Sequence, residues 1–475
     1  MRHSTFSSAP LLLRLLLLLP GLLAPGGAGA AEKPAAEISF RRDVAPILIA
    51  RCQSCHDAKV SKGGYRLDTF ELLMRADAKK GAAVSPGKPE ASKLHQLLIT
   101  PDADDRMPQK ADALPAAEIA VIKGWIAAGA KFDGGDAKLA LVEIVPSLTH
   151  PAAPVAYPAA VPVTALAFSP EGAELAVSGY REITFWNPTN GQLARRVGNV
   201  APRTQALAFS PDGKTLAVAG GQPGELGELR LLEAASGKLV KVVFSAADLV
   251  LDVQFSTDGK TLAAAGADGS IRLFNFPAAT KKLQIDNHAD WVNAVAFSPD
   301  GSLLASASRD KSAKVFDAVS GEILTTYNGH GMGVFGVVFS ADGKSVFTAG
   351  QDRKIHVWLA HDAAQSRKQS DAKKQAEITG FGKEAYRLAR GDGSLFSCSA
   401  DGLIREHALS DRKERRTYPG LGDWAYAVAA HPGTKRVAGG AFNGRVSVWS
   451  SADGKQVATF VASPGLVTAA GKLKD

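Results

Sequence analysis

Cysteine is scarce in this chain: three among 475 residues. So few thiols cannot build the disulfide framework that staples small exported domains, and two of the three fall inside one short motif, where they must serve another purpose. Charge is not segregated either. The formal net charge of +8 is spread over several hundred residues, with no basic stripe interleaved with aromatics, which excludes nucleic acid as a partner. No apolar run after residue 30 is long enough to span a bilayer, so no stable membrane insertion of the remaining chain is expected. An apolar fraction of 45% excludes a disordered chain, and the length allows two or three domains with proper cores.

The first thirty residues read as an export signal. Arg2 and Arg14 flank a polar start, the leucine run Leu15 to Leu19 continues at Leu22 and Leu23, and Ala28-Gly29-Ala30 offers a small-residue cleavage site. Pro20 and Gly21 break the run, and no cysteine stands near the cleavage point to carry a lipid. Cleavage would remove two arginines and no acid, leaving +6 from +8. Residues 1–30 are therefore expected to be a signal peptide, and the mature protein to be soluble and periplasmic or otherwise extracytoplasmic.

The motif is Cys52-Gln53-Ser54-Cys55-His56. Three chemistries use closely spaced cysteines: a metal knuckle, a redox dithiol and haem attachment. A structural zinc site needs four ligands, usually from a second cysteine or histidine pair, which the chain lacks, and a dithiol has no need of the adjacent histidine. Cys-x-x-Cys-His is the pattern of c-type haem attachment. Two intervening residues make about one helical turn, which sets both sulfurs on one side for thioethers to the haem vinyl groups, and the next residue delivers an imidazole to iron. One covalently bound haem c is expected, on Cys52, Cys55 and His56.

A sixth ligand can be sought among the methionines, since thioether ligation raises the potential of such centres. Met332 lies far along the chain, and Met74 sits in the amphipathic stretch "TFELLMRA", where a core role is the ordinary reading. Met107 stands in the polar loop "DADDRMPQKADAL", where a lone apolar side chain has no packing reason to be, and Pro108 biases it towards an extended backbone. Met107 is the expected distal ligand, with His95 in "SKLHQLL" as the rival for a bis-histidine site. Around these positions "FRRDVAPILIARC" carries Val44, Ile47 and Leu48 into the motif, and Ile119, Ile122, Trp125 and Ile126 recur at helical spacing between Pro115 and Gly129. Both stripes are core positions by default.

Residues 38–132 resemble the planctomycetal cytochrome c domain through "DVAPIL", "CQSCH", "KGGYRLDT", "PGKPEASKL", "RMPQ" and "IKGWIAAGA", in that order. The resemblance covers about one fifth of the chain. It implies a small all-alpha domain with covalent haem c and histidine and methionine ligands, carried here by Cys52, Cys55, His56 and Met107. Gln109 stands where the family often has a second proline after Met-Pro.

A repeat begins near residue 161. The phrases "ALAFSPEG", "ALAFSPDG", "DVQFSTDG", "AVAFSPDG", "GVVFSADG", "RLARGDG" and "AVAAHPG" end at Gly172, Gly213, Gly259, Gly301, Gly343, Gly393 and Gly433. The intervals are 41, 46, 42, 42, 50 and 40 residues, the length of a four-stranded propeller blade. Apolar residues alternate within each unit, punctuated by Asp-Gly and Ser-Gly turns. The third strands end at Trp186, Leu232, Phe274, Phe316, Trp358, His407 and Trp449. Residues 161–461 resemble the WD-repeat family, although Trp-Asp itself is absent. An all-beta, seven-bladed propeller is expected over 161–475, joined through a proline- and alanine-rich linker at 133–160 whose "LALVEIV" offers an edge strand.

Several residues invite functional readings that packing explains. His330 with Thr348, Asp352 and Trp358 matches the structural network of WD repeats, and His288 with Ser306 and Asp310 is a partial version ending at Phe316. Asp268, Asp401 and Asn443 occupy the turn of Asp352 and serve first as turn formers. Cys398 lies among small residues on a second strand, as a buried small hydrophobe. Residues 360–377 lengthen one interval and read as an exposed loop or short helix. The functional expectation is single-electron transfer through haem c to a redox partner protein, with the propeller docking a protein partner. The alternative is a redox enzyme whose active site is in the propeller and whose haem is the electron outlet. A third reading, a gas sensor, needs Met107 to be absent or labile.

Overall fold

The computed structural model describes residues 38–53, 55, 56, 62–75, 82–109, 112–145, 149–360 and 370–467. The export-signal stretch lies outside these residues. The chain divides after Val145 into two compact units.

The first unit is built on short helices. A π-helical turn, Phe40–Val44, opens on Ser39, whose Oγ accepts the Arg42 N–H at 3.1 Å, and runs into α1, Ala45–Arg51, with proline in its first turn. α2 is Phe70–Met74, capped by Thr69 Oγ1 accepting from Leu72 N–H, and α3 is Lys93–Ile99. α4, Ala116–Ala127, starts after Pro115 and ends before Gly129 in the left-handed region at φ 96°, as its spacing predicts. Ile122, Trp125 and Ile126 of α4 are buried, as are Val44 and Leu48 at the other end of the core. Between them Phe70 stacks on Phe132 with ring centres 4.3 Å apart, and Phe40 meets Phe70 edge-on at 4.8 Å. Met74 packs against this core, as read from its helix.

One correction concerns "LALVEIV". It makes no edge strand: Leu141–Ile144 form the one-turn helix α5, with Leu141 and Ile144 buried at i, i+3 spacing in the aromatic core. Its only strand-like feature among the described residues is an isolated bridge from Ala140 to Thr69. A strand needs a partner along its length, and this core presents helix faces instead.

The second unit is a seven-bladed propeller. Each blade is built on four antiparallel strands, consecutive in the chain except in the fifth blade, where a short strand added to the fourth blade intervenes, and the innermost strands meet one another around the ring. The repeat glycines Gly172, Gly213, Gly259, Gly301, Gly343 and Gly393 have φ between 65° and 73°, so a side chain there would be strained. Alternation puts small and branched side chains between blades: Ala263, Ala265, Leu273 and Val292, for example, pack together with Phe316.

The long interval before the sixth blade holds strands rather than the expected loop or helix. Ser370–Asp371 pair in parallel with the outer strand of the fourth blade, and Lys374–Ile378 supply the fourth strand of the fifth. Each blade needs an outer strand to cover its third, and Lys374-Gln375-Ala376-Glu377-Ile378 can turn Ala376 and Ile378 inward. Residues 361–369 lie outside the described set.

Among the described residues no strand is exchanged between the first and last blades. The ring is closed instead by a strap and a tail. Val163 N–H donates to Ala441 O at 3.1 Å and Val161 N–H to Ser463 Oγ at 2.9 Å, while Val467 N–H donates to Tyr157 O at 3.0 Å. The strap is anchored by Tyr157 O–H donating to Glu182 at 2.5 Å and by Arg196, which joins Glu182 at 2.6 Å and Pro154 O at 2.6 Å. Its start is tied down where His150 meets buried Glu228 at 2.7 Å. Residues 149–160, expected as linker, are therefore ordered against the propeller.

Candidate functional site

α1 ends at Cys52, whose N–H still donates to Leu48 O at 3.0 Å. Tight turns carry the chain on: Cys55 N–H donates to Cys52 O at 3.1 Å and His56 N–H to Gln53 O at 3.2 Å. Both cysteine side chains are half-buried. Burial first, then the Glu118 carboxylate, pushes the Cys52 thiol up to about 11. A reactive dithiol needs the opposite shift, so the redox-motif reading finds no support in this environment.

The next residue is held by its own surroundings. His56 Nδ1 lies 3.3 Å from Tyr65 O, and Leu67 N–H donates to His56 O at 2.8 Å. Leu67 belongs to the buried core, so the histidine backbone is fixed to it. A backbone carbonyl at Nδ1 selects the tautomer with hydrogen on that nitrogen and leaves the Nε2 lone pair for a metal.

Met107 is brought to the same core. Its N–H donates to Leu97 O at 2.9 Å, which pins the loop to the end of α3, and its half-buried side chain packs on the apolar cluster that Cys52 also touches. The bond from Met107 to Pro108 is cis. Gln109 has a structural use: its side-chain amide donates to Asp104 O at 3.0 Å and closes the loop. His95 is buried on α3 with Nδ1 3.9 Å from Glu90 Oε2 and, among the described residues, no hydrogen-bond partner for that nitrogen. The donor set suits an iron porphyrin: two cysteine sulfurs three residues apart, an imidazole oriented through its far nitrogen, and a thioether on the same apolar surface.

Residues 52–110 match the family model of planctomycete cytochrome C. The match starts at the first cysteine of the motif and includes Met107, which supports haem binding by this segment. Residues 237–275, 280–317 and 321–358 match the WD domain, G-beta repeat. Each matched repeat begins on the outer strand of one blade and takes three strands of the next, so the sequence unit is offset from the blade by one strand. No curated protein matches the chain. The chain thus joins a stretch similar to planctomycete cytochrome C to a WD-repeat propeller.

The propeller histidines do what their spacing predicts. His330 Nδ1 meets Asp352 Oδ2 at 2.8 Å, its Nε2 meets Thr348 Oγ1 at 2.9 Å, and Trp358 Nε1–H donates to the same hydroxyl at 3.2 Å. His288 repeats the pattern with Asp310 and Ser306, both at 2.7 Å. Sequence reading missed His356, which stacks on His330 with ring centres 3.9 Å apart and planes 10° apart. His330, Asp352 and His356 place ligand atoms within 4.8 Å of one another, the spacing of a metal site. Yet imidazole lone pairs lie in the ring plane, and two stacked rings cannot both hold one ion in plane. His330 also has both nitrogens engaged, so the group is structural.

The central channel, a cavity of about 360 Å³, also gathers titratable groups. Asp252 and Arg387 reach across it from the third and sixth blades at 3.2 Å. Burial outweighs the guanidinium and raises the carboxyl's pKa. Asp252 also accepts from Val295 N–H, and Arg387 donates to Leu251 O, so the pair braces the ring rather than facing a substrate. Cys398 accepts from Arg387 N–H at 3.3 Å and is fully buried, with burial pushing its thiol up to about 12. Asp268, Asp401 and Asn443 accept from backbone N–H groups two residues on, as turn formers do.

Proposed function

We propose that this is an exported c-type cytochrome that carries single electrons, with a propeller that docks a protein partner. The observation that carries the reading is the convergence of Cys52 and Met107 on one apolar core, with His56 tied to it through Leu67, inside a segment that matches planctomycete cytochrome C. Cys52 and Cys55 would hold haem c by thioethers, and His56 Nε2 and Met107 Sγ would supply ligands to its iron. Bound there, haem supplies reversible one-electron chemistry between ferric and ferrous iron. The protein's part is orientation and exclusion of water. Tyr65 O fixes the His56 ring, Leu97 O holds the methionine loop in register, and the apolar cluster shields the thioether. The leucine run and the Ala28-Gly29-Ala30 site favour an extracytoplasmic location, where thioether attachment is made.

The haem reading is tested by visible spectroscopy of the exported chain beside Met107→Ala: a covalent haem whose ferric iron–sulfur band is lost in the variant is expected. Docking is tested by site-specific photo-crosslinking in intact cells from loop positions on each blade, with adducts identified by mass spectrometry. Adducts from one face support it, and none from any blade contradicts it.

A further inference from the structure

Five aromatic rings form an unbroken row where the innermost strands of the fifth, sixth and seventh blades begin. Phe335 stands 5.3 Å from Tyr386, Tyr386 stands 4.9 Å from Tyr426, and Tyr426 lies 6.0 Å from Phe442 and 6.3 Å from Trp424. The outer two rings are bare: Trp424 is 43% exposed and Phe442 49%. Packing does not ask for this, because large apolar side chains on a solvated loop lose stabilisation that burial would supply. Hydrogen bonds fix the platform, Phe442 N–H donating to Trp424 O at 2.9 Å and Trp424 N–H to Asp423 Oδ1 at 2.8 Å.

The electrostatics of the row have a sign. Burial raises the pKa of the Tyr426 hydroxyl first, with the Asp423 and Glu384 carboxylates adding to it, and Glu384 acts likewise on Tyr386. Aromatic faces are themselves negative, and a cation within about 6 Å of a ring centre is attracted to them. The protein demonstrates this on its own platform, where Lys383 Nζ sits 5.2 Å from the centre of the Trp424 ring. Arg445, three residues after Phe442, donates to Gly420 O.

We propose that this platform docks a segment of a partner protein that presents a lysine or arginine side chain to Trp424, Tyr426 and Phe442. The inference rests on the docking reading above and names the chemistry of the partner. Glu384 and Asp423 attract the incoming charge, and the rings take its aliphatic stem and its cation. Lys383 competes for Trp424 from within the chain and is displaced.

Titration calorimetry on the full haem-loaded chain tests this with two capped hexapeptides, one alternating alanine with arginine and one alternating alanine with glutamate. Saturable binding of the arginine peptide alone is expected. Trp424→Ala with Phe442→Ala should weaken it at least tenfold, and the shape-preserving pair Glu384→Gln with Asp423→Asn should weaken it several-fold. Lys383→Ala should tighten it, because the internal competitor is gone; an acidic partner would require the reverse. An unchanged melting temperature shows that each variant is folded. Failure of the arginine peptide to bind, preference for the glutamate peptide, or equal binding to the ring variants overturns the proposal. Crosslinks from the first four blades alone would overturn this site while leaving docking intact, whereas no crosslinks anywhere overturn docking itself.

Discussion

Thr348 shows how one side chain holds a blade together. Its hydroxyl accepts from Trp358 Nε1–H and faces His330 Nε2, and all three residues are buried. Thr348→Val keeps the shape and leaves an indole N–H and an imidazole nitrogen unpaired, which should cost about 2–4 kcal/mol, while Thr348→Ser should cost under about 1.5 kcal/mol. Chemical denaturation reads both, and equal losses would contradict the network. His356 beside it sets an acid limit. The Tyr327 hydroxyl lies 2.8 Å from its Nδ1, and burial first, then His330, holds its pKa down at about 4. An unfolded histidine titrates near about 6.5, so between those values the unfolded chain binds the extra proton. This contribution to stability is present above that window and is lost as pH falls through it. The melting temperature should therefore fall more steeply from pH 7 to pH 4.5 in the wild type than in His356→Gln, and parallel curves would contradict the assignment. The His330 network was legible because its members recur at repeat spacing; His356 has no repeat partner and becomes visible only as a stacked ring.

At the scale of elements, the ring closes through a strap rather than a shared sheet. Gly440 leaves room for it: a Cβ there would lie 2.4 Å from Val163 Cγ1. Gly440→Ala should destabilise the propeller by about 1–3 kcal/mol through overpacking. Val163→Ala in the same chain should recover part of that loss, because the two side chains contend for one space and their effects are not additive. Additive losses in denaturant melts would place the strap elsewhere. The strap, α5 and the added strand at Ser370–Asp371 are the elements that sequence reading placed wrongly or left as linker and loop. Composition around prolines and alanines says that a segment can be extended; which surface it then covers depends on partners distant in the chain, such as Ser463 for Val161. The blades were legible because turn glycines and alternation are local, and α4 because Pro115 and Gly129 mark both ends.

For the whole molecule, seven repeats and one Cys-x-x-Cys-His motif announced both architectures. The helical unit is less regular than the resemblance implied, since its helices are short and loops carry His56 and Met107. His56 and Met107 nonetheless stand out in the sequence, because a methionine in a polar loop and a histidine after two cysteines have few structural reasons to be there. The central claim is a covalent haem with His56 and Met107 on the iron. It is tested most directly by the oxidised and reduced visible spectra of the mature chain, exported with haem-maturation machinery, beside Met107→Ala and His95→Ala. A haem that survives denaturation is expected, with a ferric iron–sulfur charge-transfer band lost in Met107→Ala and kept in His95→Ala. Absence of covalent haem, or a band that survives loss of Met107, would contradict it.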